Sequence, residues 1–317
     1  MPMAEPFGYL NGRFLPAAEM RIPVGDVGFV QGVTVAEQMR TFNGALFRLE
    51  QHLERLAQSL RIIGVDCGMT TDQLAAIARR LASENHALLD KSDDLALAMF
   101  VTPGMYVNFD PDGESGPTVG MHTTPLPFRL WVDRYEQGQA LVVTTVEQTP
   151  PTCWPPELKC RSRMHYYLAD RQARNIEPGA RALLLDREGR VTEASTANIV
   201  VYRHDEGLVS PPKEMILPGV SMAFVEELAG ELGIPFIYRE LSPQDVATAD
   251  EALLTSTSPC ILPAVRLNGK PIGEGKPGPI FHRLIAKWSD HVGVDIIAQA
   301  KRFATRKAPS TVDRASR

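Results

Sequence analysis

The chain has 317 residues with 33 basic and 38 acidic side chains, a formal net charge of −5, so it lacks the basic excess of a nucleic-acid-binding protein. At about 100–200 residues per domain, this length suggests two domains or one large one. Hydrophobic residues at 44% and charged residues at 22% match globular usage and exclude global disorder, and no apolar run approaches the roughly 18 residues that a membrane span needs.

The elements read as follows in chain order. Tyr9-Leu10-Asn11-Gly12-Arg13-Phe14 places an Asn-Gly turn between short apolar stretches, which predicts a hairpin. Asn43-Gly44 repeats the pattern. Leu49, Leu53, Leu56 and Leu60 then recur at helical spacing. A second amphipathic helix is expected over 71–89, with Thr70, Thr71 and Asp72 as candidate caps. Leu95–Thr102 reads as a strand, and 103–127, rich in Gly, Pro and Asp, as a loop. Ala140–Val146 is the next strand, Pro150–Pro156 a loop, and about Arg163–Asn175 a helix. Ala182–Asp186 and Val191–Glu193 suggest a hairpin across Arg187-Glu188-Gly189, followed by a strand at Asn198–Tyr202. Pro218-Gly219 opens a helix to Leu232, which Gly233 stops. Phe236–Arg239, Glu251–Thr255 and Val265–Leu267 read as strands, and Pro279–Trp288 opens a closing helix. Strands and helices mix without strict alternation, so the fold class is α+β rather than a doubly wound sheet.

The expected organisation is a small N-terminal α/β domain over 1–125, an interdomain linker over 126–135, and a large C-terminal domain over 136–300. A flexible basic tail follows over 301–317, with six basic side chains and one acidic. The body without it holds 27 basic against 37 acidic residues, a net charge of −10. Cys67, Cys153, Cys160 and Cys260 form no CxxC pair and no Cys/His metal spacing. No metal site or disulfide framework is expected, and with no secretory signal at the start the expected location is the cytoplasm.

Five features carry chemistry. Ile216-Leu217-Pro218-Gly219-Val220-Ser221 leads into a helix, whose first amides are unpaired donors beside a positive dipole end. Thr255-Ser256-Thr257-Ser258 places hydroxyls and amides at a strand end, where they could close a second side of an anion pocket. Arg55 lies on the first long helix, a position that is ordinarily solvated. Glu193 ends a strand before a run of small polar residues. Lys159 stands between a proline-rich loop and a helix. Such a lysine is ordinarily on the surface, but burial lowers the pKa of an amine and suits it to a Schiff base. Together they are the parts of a pyridoxal phosphate site: an amine for the aldehyde, a carboxylate for the ring nitrogen and donors for the phosphate.

At these residues the sequence resembles the class IV (fold type IV) aminotransferases, which include branched-chain and D-amino acid aminotransferases and aminodeoxychorismate lyase. The likeness covers roughly residues 8–290. Its strongest blocks are Thr41-Phe42-Asn43-Gly44, Phe47-Arg48-Leu49-Glu50-Gln51-His52-Leu53-Glu54-Arg55-Leu56, Gly189 through Asn198, Ile216 through Ser221, and Ala249 through Thr257. The resemblance implies two α/β domains with the cofactor cleft between them, usually in a homodimer, and pyridoxal 5′-phosphate as cofactor. It implies that Lys159 carries the cofactor and moves the proton, and that Glu193 holds the pyridine nitrogen. Arg55, Gly219, Val220, Ser221 and Thr257 would hold the phosphate, and Leu217 would pack on the ring. The implied reaction moves an amino group between an α-amino acid, branched-chain ones among the candidates, and a 2-oxo acid such as 2-oxoglutarate. No nucleic acid or membrane partner is expected.

The chain departs from the family pattern around the substrate. The run after Lys159 is Cys160-Arg161-Ser162-Arg163-Met164-His165-Tyr166-Tyr167, so the family's tyrosine has Tyr166 or Tyr167 as its candidate, decided by helical phase. Gln31-Gly32-Val33 replaces an aromatic-Gly segment, Ala36 stands where branched-chain enzymes often carry Phe, and Pro103 follows Thr102 where an arginine is common. Arg40, Arg161 and Arg163 are candidate carboxylate binders, since a guanidinium suits a bidentate carboxylate, and the amides of Thr257 and Ser258 are another. Candidate substrate contacts are therefore Gln31, Ala36, Arg40 and Ser258. Two other outcomes of the same cofactor chemistry remain open, a lyase of the aminodeoxychorismate type and a D-amino acid aminotransferase. A non-catalytic binding protein is disfavoured because the fold alone requires neither Lys159 nor Glu193.

Overall fold

A computed structural model describes residues 5–306. They divide into two units: residues up to Arg129 with Lys159–Ser162 and the chain from Ala298 onward, and residues Leu130–Leu158 with Arg163–Ile297. The capture of Lys159–Ser162 and of the chain end by the first unit was not expected.

The first unit contains β1 (Phe7–Leu10), β2 (Arg13–Pro16), α1 (Val27–Val30), β3 (Val35–Phe42), β4 (Ala45–Leu46), α2 (Leu49–Ile63), α3 (Thr71–His86), β5 (Leu95–Thr102) and β6 (Thr118–Pro125). Both Asn-Gly pairs form the expected turns: Asn11 and Gly12 have φ of 46° and 83°, Asn43 and Gly44 of 51° and 79°. Two left-handed residues in succession match the twist of a hairpin. Thr70 caps α3 in a reciprocal box with Gln73, which satisfies two backbone donors that the helix leaves open. The antiparallel sheet runs β2-β1-β6-β5-β3-β4. Its β6 lies within the stretch expected to be loop. It pairs with β1 and β5, although Gly120, three threonines and Pro125 obscure the strand pattern. A Cβ on Gly120 would fall 2.2 Å from the Phe100 ring, so glycine there lets the ring lie across the strand.

The second unit contains α4 (Arg134–Gln137), β7 (Gln139–Val143), α5 (Met164–Ile176), β8 (Arg181–Leu185), β9 (Val191–Ala194), β10 (Ala197–Arg203), β11 (Gly207–Ser210), α6 (Val220–Glu231), β12 (Phe236–Tyr238), α7 (Pro243–Ala247), β13 (Glu251–Ser256), β14 (Cys260–Leu267), β15 (Lys270–Pro271) and α8 (Pro279–Val292); α9 (Ile296–Phe303) follows. The strands run β12-β11-β10-β13-β14-β7-β8-β9, and β9 also pairs with β10, so six of them close into a ring. β14 starts five residues before the expected strand because Pro263 breaks the local pattern, yet Pro263 still sits in register opposite Leu253. α5 covers β7 and β8 through a wall of small residues, Ala140, Ala169, Ala173, Ala180 and Ala182, against which Tyr166 packs.

The expected tail begins too early. Lys301–Phe303 complete α9, Phe303 is buried and stacks on Phe128, and Arg306 pairs with Asp93. The apolar face Ile296, Ala300, Phe303 continues through the basic residues, which hid it. Residues 307–317 of the expected tail lie outside the described residues.

Candidate active site

Lys159 is half-buried on a short extended segment of the first unit laid beside the start of β3. Ala36 N–H donates to Lys159 O at 3.0 Å and Arg161 N–H to Thr34 O at 2.8 Å. Ser162 Oγ donates to Gly32 O at 2.6 Å, and Lys159 N–H donates to Ser59 Oγ on α2 at 3.2 Å. Val35 and Cys160 form an isolated bridge. Four separate bonds thus fix the backbone of the lysine against β3 and α2, and they bring Gln31 and Ala36 into its neighbourhood in the chain.

Next to it lies a buried ionic cluster. Alternation on β3 turns Val35, Glu37 and Met39 to the side that α2 covers. Arg55 Nε and Nη2 each donate to Glu37 at 2.8 Å, and His52 Nδ1 lies 2.7 Å from Glu37 Oε2. An ionised carboxylate only accepts, so Nδ1 carries the hydrogen. Burial pushes the Glu37 carboxyl up, but the Arg55 charge, its hydrogen bonds and that of His52 together bring it down to about 2; the Lys159 charge acts in the same direction. Burial lowers the His52 pKa, with Arg55 and Lys159 adding to the shift against the pull of Glu37. The ring is neutral at pH 7.

In the second unit, register places three polar residues side by side. Glu193 on β9 faces Asn198 on β10, and Asn198 faces Thr255 on β13; directly opposed residues share a face. Glu193 Oε1 accepts from Leu217 N–H at 2.8 Å and Asn198 Nδ2 at 2.9 Å. Its Oε2 accepts from Tyr166 Oη at 3.0 Å and Gln148 Nε2 at 3.2 Å. These four donors are neutral, so they orient the carboxylate without cancelling its charge. Asn198 Nδ2 also donates to Leu217 O at 2.9 Å, which ties the Leu217-Pro218-Gly219 turn to the same face.

That turn opens α6. Its N-cap Gly219 provides no side-chain cap, so the first amides and the dipole end are available to an anion. A Cβ at Gly219 would fall 2.0 Å from Asn198 Oδ1, hence the glycine. Ser221 is buried in the first turn, and buried Thr255 Oγ1 has no hydrogen-bond partner among the described residues. Thr257 and Ser258 stand half-buried in the β13–β14 turn, which Tyr135 Oη pins by donating to Pro259 O at 2.8 Å.

Comparison with known proteins identifies the family. Residues 34–267 match the amino-transferase class IV family. The chain belongs to that family. As a class IV aminotransferase, it is 28% identical over 283 residues to a Methanocaldococcus jannaschii protein named as a candidate branched-chain-amino-acid aminotransferase, covering 89% of this chain and 95% of the relative. It is 27% identical over 271 residues to the D-alanine aminotransferase of Bacillus licheniformis, covering 85% and 91%. Its fold matches the branched-chain amino acid aminotransferase of Escherichia coli with a TM-score of 0.82 at 23% identity, over 91% and 94% of the two chains. It also matches the branched-chain aminotransferase of the thermophilic archaeon Thermoproteus uzoniensis, solved with norvaline, with a TM-score of 0.78 at 24% identity over 94% and 96%. The two-domain fold type IV architecture and the transaminase class follow.

Some expected site residues of this aminotransferase stand elsewhere. Arg40 is buried in the first unit, with Nε on Thr41 O at 3.2 Å and Nη2 on Gln299 Oε1 at 3.0 Å, and its guanidinium lies 4.0 Å from the Phe42 ring centroid. These contacts hold its guanidinium within the first unit. Gln31 and Arg161 are exposed, Ala36 is buried and Arg163 is half-buried. Of the two tyrosines, Tyr166 turns inward to Glu193 while Tyr167 is 66% exposed. Sequence reading gave no role to Glu37, His52, Gln148 or Asn198. One signal was present: His52 and Arg55 share the helix face of Leu49, Leu53 and Leu56, where a charge requires a buried partner.

Proposed function

We propose that this aminotransferase uses pyridoxal 5′-phosphate to move an amino group between an α-amino acid, branched-chain ones first, and a 2-oxo acid such as 2-oxoglutarate. The observation that carries the reading is the Glu193 carboxylate, buried on the closed ring among four neutral donors and one turn away from an uncapped helix start. An anion so held is suited to a protonated pyridine nitrogen, and the bare Gly219 amides with the orphaned Thr255 hydroxyl are suited to a phosphate. The cofactor, when bound, supplies an electron sink for the substrate carbon that loses its proton.

The chain's own groups then have these tasks. Lys159 would hold the cofactor through its amine, and that amine would move the substrate proton, as base and then as acid. Glu193 keeps the ring nitrogen protonated. Gly219, Val220, Ser221 and Thr257 would hold the phosphate through amides and hydroxyls, and Arg55 is the cation that the family resemblance assigns to it. Leu217 packs on the ring. Ala36 widens the place where branched-chain enzymes often carry Phe, and Gln31 and Ser258 are the remaining substrate contacts.

We place the enzyme in the cytoplasm as a homodimer. Its four cysteines are free thiols, no helix among the described residues is long and apolar enough to cross a membrane, and Phe29, Val107 and Phe109 are exposed on the first unit, as residues of a subunit contact are. The test is borohydride reduction of the holoenzyme, peptide mapping, and a donor screen with leucine, isoleucine, valine and D-alanine. The expected result is a tag on Lys159 and transfer from the branched-chain donors to 2-oxoglutarate. A tag elsewhere, or pyruvate release with no 2-oxo acid required, overturns the reading; transfer from D-alanine alone moves it to the D-amino acid class.

A further inference from the structure

We propose that Tyr166 is a positioning residue for Glu193, a role that rests on the reading above and that the family resemblance does not supply. A phenol packed into apolar surroundings needs a polar partner, and half-buried Tyr166 finds it in the carboxylate at 3.0 Å. Its ring cannot easily turn away: it packs on the alanine-rich wall between α5 and β7–β8, with the His165 ring 4.1 Å distant. Those alanines are the space the ring occupies. Burial, then the Glu193 charge, raise the phenol's pKa, so it stays protonated and remains a donor throughout the working pH range.

The two carboxylate oxygens are held by different means. Oε1 is fixed from the α6 side by Leu217 N–H and Asn198. Oε2 is fixed by Tyr166 and Gln148, from α5 and the loop after β7. Tyr166 therefore sets the rotation of the carboxylate about its last bond, and with it the direction in which charge is offered to the ring nitrogen. The phenol is engaged at the carboxylate, so its effect on the cofactor passes through Glu193.

A double-mutant cycle tests this. Tyr166→Phe, Glu193→Gln and the double variant are compared for pyridoxal phosphate affinity, by equilibrium dialysis, and for the pH midpoint of the bound cofactor's visible band. The expected result is about tenfold weaker binding and an upward-shifted midpoint in Tyr166→Phe, because a less firmly held ring charge withdraws fewer electrons, with no further change when it is added to Glu193→Gln. Additive losses overturn the proposal, since they mean a direct contact or a general packing defect. Gln148→Leu, which leaves the tyrosine ring in place, repeats the cycle at the same oxygen if Tyr166→Phe does not fold; additivity there overturns it equally. Borohydride tagging of Lys159 in the parent chain separates the two readings. Without the tag the function proposal itself fails, whereas a tag with an additive cycle sinks only the role of Tyr166.

Discussion

Replacing Glu37 by Gln isolates the ionic cluster beside Lys159. In the folded chain this carboxyl titrates at about 2 against an ordinary value of 4.5, a displacement worth about 3 kcal/mol. Its folded pKa is depressed, so the stabilisation is fully present above pH 4.5 and is lost as pH falls from there through 2. Glu37→Gln removes that dependence and also leaves the Arg55 charge buried without its counter-ion, which costs about 3–5 kcal/mol at pH 7. The three tryptophans, Trp131, Trp154 and Trp288, all lie in the second unit, so a probe of the first unit is needed. Urea unfolding followed by far-UV circular dichroism, with amide exchange on β3 and α2 to assign the transition, reads it. A loss below about 1 kcal/mol at pH 7, or an equal fall in stability of parent and variant between about pH 5 and 2, refutes the reasoning.

Arg40→Met is expected to destabilise the first unit by about 2–4 kcal/mol, because it takes the Arg40 donor from buried Gln299 Oε1 and removes the cation over Phe42; KM for amino donors staying within about twofold makes Arg40 structural, and a large KM increase makes it a substrate contact. Gly219→Ala forces Asn198 off Glu193 and costs about 1–3 kcal/mol in urea unfolding, with weaker cofactor retention on dialysis; unchanged retention refutes the close approach. Thr255→Val in the cofactor-free chain should be stabilising by about 1 kcal/mol, since it removes an unsatisfied buried hydroxyl; destabilisation by as much, measured in the same way, means the hydroxyl has a partner.

Local signals carried far in this chain. The Asn-Gly pairs, the leucine spacing of α2 and the Thr70 cap each act within a few residues, and each marked its element. The lysine, the glutamate and the Gly219 helix start were legible because each sits in a compact block of sequence. What was hidden depends on distant partners. The bond between Arg40 and Gln299, 259 positions away, has no local signal. β6 looks like a loop until β1 and β5 flank it. Tyr166 and Tyr167 differ by one step of a helix, and only the alanines of β7, β8 and α5 decide which of them turns inward.

Ring closure in the second unit has a consequence for life at high concentration. Unpaired strand edges are templates on which chains aggregate, and closing β9 onto β10 removes the one at β9. The edge left at the end of the path is the three-residue β12, and in the first unit the outer strands are β2, which ends in proline, and the two-residue β4. Misassembly by edge-to-edge pairing therefore has little template on either unit. A substitution that opens the β9–β10 seam is expected to cost solubility even if it leaves every side chain of the chemistry in place.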